Sequence, residues 1–143
     1  MTKGMIKRIS WKTCLPFIEA YNRKFDTAVA DPQLAKFCVW CGVEVRGILR
    51  AVLGLQPIDD DEVFVWGMFG DGSGELDEII AGAYLTKIVE EMPFNLSGAI
   101  LPSNVDQQRR ASMRGWSKTD TQVMCGSNQE LQELWIRPYK AGA

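Results

Sequence analysis

The chain has 143 residues and a mass of 16.0 kDa, enough for one domain with a substantial core. Its 16 basic and 18 acidic side chains leave a net charge of -2 and a pI near 5.2, so nothing global draws it to nucleic acid or to an anionic membrane. It contains no histidine, which excludes Ser-His-Asp and Cys-His catalysis and histidine-ligated metals; proton transfer falls to carboxylates, Tyr, Lys, Cys or water.

No apolar run is long enough to span a bilayer, and the basic start "MTKGMIKRIS" lacks the apolar stretch of a secretory leader. The expectation is a cytoplasmic protein, one domain over residues 1–143, with no nucleic-acid or membrane partner.

In chain order, a short strand fits residues 5–10. Cys14, Phe17, Ile18, Tyr21 and Phe25 then recur at helical spacing, and Asp31-Pro32 marks a loop or a broken second helix. Strands are predicted at 35–43, 45–58 and 62–69. The turn between the last two is "DDDE", and Asp59, Asp60 and Asp61 read as a solvated acidic loop. Cys38 and Cys41 form a single CxxC. Residues three apart on a strand face opposite sides, so structural cysteines are expected there and no metal site.

The Gly-rich stretch "GDGSG" (70–74) leads into the strongest helix, predicted over 75–92. Leu76, Ile80, Tyr84, Ile88 and Met92, widened by Ile79 and Ala83, predict a stripe facing the core. Ser73 is the expected cap, Glu75, Asp77 and Glu78 suit the positive end of the helix, and Pro93 stops it. A strand at 95–102 precedes "SNVDQQRRASMRGW", a helix capped by Ser103 or Asn104 and ended by Gly115. Strands at 119–125 and 131–138 finish the chain. This order predicts an α+β fold with a mixed, mostly antiparallel sheet of six to seven strands and helices on both faces. The helix near 75–92 joins the one parallel pair through a right-handed crossover.

The order, together with two segments, resembles the GNAT superfamily of acetyl-CoA-dependent N-acyltransferases. Gly115-Trp116 follows Asn104 by eleven and twelve positions, where that family shows Asn and then Gly-Phe, and "EVFVWGM" (62–68) resembles its fourth strand. The resemblance implies a V-shaped splay between the fourth and fifth strands. It implies acetyl-CoA as co-substrate, a small-molecule or peptide amine as acceptor, and is compatible with a homodimer. Glu62 takes the position of general base. The backbone of Trp66, Gly67 and Met68 would line the thioester, with the Met68 amide polarising it. Gly72 and Gly74 would cradle the pyrophosphate, Asn104 would orient the pantetheine arm, and Arg109 would reach a phosphate. Gly67 also fits a strand bulge or a close backbone approach at the splay.

Two positions depart from the family pattern. Its Gln/Arg-x-x-Gly-x-Gly/Ala stretch is missing before the main helix, where Glu75, Asp77 and Glu78 would face a pyrophosphate of like sign. Ala111 stands seven positions after Asn104, where the family's general-acid Tyr falls. The alternative is therefore a catalytically inactive interaction or structural module on the same scaffold, as in some tailed-phage proteins. Asn104 and Gln107 also read as a capping box, and Arg109, Arg110 and Arg114 as cations closing a solvated helix.

Overall fold

The structure, a computed structural model, describes residues 4–28, 30–69, 76–125 and 130–139, with backbone alone at 4, 5, 67–69 and 125. Strands β1 (Gly4–Ile9), β2 (Val39–Val45), β3 (Ile48–Pro57), β4 (Glu62–Phe69), β5 (Asn95–Ile100), β6 (Ser117–Cys125) and β7 (Glu130–Arg137) form one sheet. Its spatial order is β1-β2-β3-β4-β5-β7-β6. Every neighbouring pair is antiparallel except β4 and β5, which run parallel. The helices are α1 (Leu15–Lys24), α2 (Pro32–Ala35), α3 (Leu76–Glu90) and α4 (Val105–Met113), with a 3-10 turn at Trp11–Cys14 before α1. No helix among the described residues is long and apolar enough to cross a membrane.

Turn chemistry sets the hairpins. Between β2 and β3, Arg46 and Gly47 both take positive φ (56° and 77°), a two-residue turn whose twist matches that of its strands. Between β3 and β4, the Asp59 carboxylate accepts from the amides of Asp61 and Glu62, each at 2.9 Å. The Asp61 amide, and then the Asp61 side chain, holds Asp59 below the usual carboxylate range. The neighbouring Asp59 side chain in turn raises Asp61. The acidic loop is thus a self-capped turn in water, in line with the bland sequence reading.

One face of the sheet carries α1 and α2. Cys14, Ile18, Ala30, Ala35, Trp40 and Val52 form its buried cluster, with Tyr21 and Trp66 packed against it. Trp40 is fully buried and donates its indole N–H to the Ala35 carbonyl at 2.8 Å. Its ring lies flat on Gly54, where an added Cβ would come within 2.8 Å. Burial, with Cys41 and Cys38 nearby, pushes the Cys14 thiol up to about 12, so it stays protonated. Cys38 lies in the turn before β2 rather than on the strand, contrary to the predicted strand start.

The other face carries α3, whose Ala81 and Leu85 pack on Val43, Val45, Ala51 and Leu53. The predicted stripe is only half right. Ile80, Tyr84, Ile88 and Met92 do reach this core, but Leu76 and Ile79 are 63% and 60% exposed while Glu78 is buried. Helical geometry explains the miss: each step of four residues advances the side chain by about 40°, so four such steps cannot keep one face. A specific anchor fixes the rotation. Asp77 turns toward β3 and lies 3.4 Å from Arg46 Nε and 3.5 Å from Arg50 Nη2.

The far end of α3 is held by Arg137 of β7. Its guanidinium donates to the carbonyls of Val89, Glu90, Met92 and Phe94 at 2.9–3.4 Å, placing a cation where the helix dipole is negative.

Candidate functional site

The parallel ladder between β4 and β5 is short. Glu62 pairs with Asn95, Val63 with Leu96 and Phe64 with Ser97, and there it ends. β4 nevertheless continues along β3 as far as Phe69, opposite Ala51. β5 continues along β7 as far as Ile100, opposite Glu133. Each strand is held by its outer neighbour and released by its inner one. The facing edges beyond Phe64 and Ser97 therefore present amides and carbonyls that an extended chain with amides of its own can meet. The predicted bulge at Gly67 is absent: the β3–β4 register passes through Leu53–Gly67 without a shift. Divergence from β5 alone opens the gap.

An indole stands at the point of parting. Helix α4 ends on Gly115, whose φ is +86°, and the Trp116 amide donates back to the Ala111 carbonyl at 3.0 Å. This glycine-centred stop turns the chain so that the Trp116 ring lands on β5. A Cβ added to Gly98 would sit 3.6 Å from that ring and 3.5 Å from the Val65 carbonyl. The Gly-Trp pair is thus a single device, a reversal followed by an aromatic cover over Gly98. Gly115→Ala should destabilise the fold by about 1 kcal/mol, read as a lower urea midpoint with unchanged slope.

Helix α1 lies on the face of the sheet that carries the Trp40 cluster. Its body packs on β4, while just past its end Thr27 Oγ1 and the Ala28 amide bond the Glu130 carboxylate at 2.6 and 3.0 Å, at the start of β7. Asn22 bonds both the carbonyl and the amide of Ala30, at 2.8 and 3.1 Å. Tyr21 on this helix packs against the Trp40 cluster. Burial raises its phenol above the usual range, and the nearby Asn104 side chain opposes that rise.

Glu62 opens β4, and its Oε2 accepts from the Ser97 hydroxyl at 3.2 Å. Ser97 is buried and belongs to the last pair before the strands part, so the carboxylate leans along the strand toward the opening. Asn104 is buried as the cap of α4. Its Oδ1 accepts from the Gln107 amide at 3.3 Å, and its Nδ2 donates to Gln107 Oε1 at 2.7 Å.

No family model and no curated protein matches the sequence. Solved structures do match. An IAA acetyltransferase from Bacillus cereus aligns with a TM-score of 0.69 at 12% identity, over 95% of this chain and 99% of that one. A GNAT superfamily phosphinothricin acetyltransferase from Sinorhizobium meliloti, in complex with AcCoA, aligns at 0.63 and 8% identity, over 99% and 91%. The ribosomal-protein-S18-alanine N-acetyltransferase from Escherichia coli aligns at 0.62 and 14% identity, over 97% and 96%.

The chain has the GNAT fold.

Its seven-stranded mixed sheet, the parallel pair and the splay meet the expectation drawn from element order. Nothing in these neighbours supports the phage likeness. Within the GNAT fold, the predicted site residues divide into three groups. Glu62, Trp66 and the backbone of Gly67 and Met68 lie on β4 beside or within the splayed stretch, and Asn104 lies just past the end of β5. Trp66 meets Trp40 edge-on at 5.9 Å, and its indole N–H is buried without a partner. Arg109 is exposed on α4 and makes no hydrogen bond or ion pair to this set, and Arg114 is drawn instead to Glu90 of α3. Gly72 and Gly74 lie outside the described residues.

Of the acidic residues expected at the start of α3, Asp77 is ion-paired with Arg46 and Arg50, and Glu75 lies outside the described residues. One residue beside Glu62 was missed in the sequence. Ser97 is the lone hydroxyl in the apolar run "NLSGAI", a signal that was there to use.

Proposed function

We propose that this chain is an N-acyltransferase that moves the acetyl group of acetyl-CoA onto an amine of a small molecule or peptide. The observation that carries the reading is the parting of β4 and β5 after Phe64 and Ser97, with both outer ladders intact. A slot bounded by unpaired backbone suits the amide-bearing arm of coenzyme A. At the start of α3 the helix amides supply positive potential for phosphates, and Arg46 and Arg50 neutralise Asp77 there.

The acceptor nitrogen must lose a proton to attack a thioester, and Glu62 accepts it through water or through the Ser97 hydroxyl that it already holds. As the carbonyl oxygen gains charge, the Met68 backbone N–H in the splayed half of β4 donates to it. Asn104, whose amide is engaged within the protein, acts by fixing the start of α4 and hence the mouth of the slot. Calorimetric titration with acetyl-CoA should give a micromolar dissociation constant, roughly -8 kcal/mol. Absence of heat at millimolar acetyl-CoA would overturn the reading and favour a non-catalytic module.

A further inference from the structure

Side chains alternate along a strand, so Glu62, Phe64 and Trp66 project from one face of β4, the face that carries the Trp40 cluster. On β5 the same face carries Ser97, which pairs with Phe64, and then Ala99, two residues further on. The Ser97 hydroxyl meets the Glu62 carboxylate at 3.2 Å, which fixes both on this side of the sheet. An amine that gives its proton to Glu62 therefore attacks from this side, and the acyl carbon has to be open to it here. Beyond the last ladder pair, the side chains that border the slot on this face begin with Trp66 on β4 and Ala99 on β5.

Trp66 is barred from moving away from the slot. Its partner on β3 is Gly54, and the space a side chain would take at Gly54 is filled by the Trp40 ring, 2.8 Å from an added Cβ. Trp40 is itself held, fully buried and with its indole N–H on the Ala35 carbonyl at 2.8 Å. The two indoles meet edge-on at 5.9 Å. Toward β5 the ladder has already ended, so the other flank of Trp66 is the opening. A large ring thus stands between a fixed neighbour and the slot. Its own N–H has no partner, so what it supplies at this position is bulk. Close-packed walls of this kind yield little to a ligand that is a methylene too long.

We propose that Trp66, backed by Trp40, sets the length of the acyl group, admitting acetyl and rejecting longer chains such as butyryl. The inference rests on the N-acyltransferase reading above and adds to it the residue that selects the acyl donor.

Calorimetry with acetyl-CoA and butyryl-CoA tests it without turnover. The wild type should bind acetyl-CoA about ten-fold more tightly than butyryl-CoA. Trp66→Ala should reverse the order by about ten-fold, as the two extra methylenes fill the vacated space. Trp66→Phe keeps most of the bulk and should keep the wild-type order. A cooperative urea transition shows that each variant is folded, and where Trp66→Ala does not fold, Trp66→Leu carries the reversal. A wild type that binds butyryl-CoA as tightly as acetyl-CoA overturns the assignment with no variant needed. So does a folded Trp66→Ala or Trp66→Leu that keeps the acetyl preference, and in both cases the acyltransferase reading stands. A wild type that binds neither thioester overturns both.

Discussion

Glu62→Gln should lower kcat for acetyl transfer by roughly 10²- to 10⁴-fold at neutral pH and leave acetyl-CoA affinity within about two-fold. Glutamine has nearly the same volume and can still accept from the Ser97 hydroxyl, so the local hydrogen bond at 3.2 Å survives. What disappears is the capacity to take a proton from the acceptor nitrogen. A lysine-like amine is mostly ammonium at pH 7, with a pKa of about 10.4. Raising the pH toward that value supplies the neutral amine from solvent, and the deficit of the variant should shrink. Steady-state rates across pH, alongside calorimetry with acetyl-CoA, check both halves. A variant with the wild-type rate at pH 7 would remove Glu62 from the chemistry.

The largest effect on stability is expected at Trp40. Trp40→Ala should cost about 3–5 kcal/mol, a large share of the 5–15 kcal/mol typical of a domain. Its ring is buried and joins α2 to the sheet through the Ala35 carbonyl. Gly54→Ala approaches the same contact from β3 and should cost about 1–3 kcal/mol, since the rigid indole stands 2.8 Å from where the new methyl would be. In the double variant the Gly54 penalty should vanish, because the ring it collides with is gone. Urea denaturation of the four proteins reads the cycle. Strict additivity would show that the ring does not rest on Gly54.

Element order was legible because it depends on local signals: strand runs, turn residues and caps. Asn104 and Gly115 were found where sequence placed them, since a helix cap and a left-handed stop are satisfied within a few residues. The orientation of α3 was not legible. An every-fourth-residue pattern drifts around a helix, and the attraction of Asp77 to Arg46 and Arg50 comes from another hairpin. The site was legible along β4 and at Asn104. Ser97 was not, because it meets Glu62 across 35 residues. Periodicity tells which side of an element is buried, and it is silent about what crosses to meet it.

The Trp116 ring over Gly98 has a consequence for affinity. Had the two parallel strands been zipped to their ends, an incoming thioester would first have to break backbone pairs, and each would subtract from its binding. Here the ladder stops after three pairs, with the Trp116 ring against β5 just past its end, so there are no such pairs to break. A thin polar arm would dock without unfolding anything.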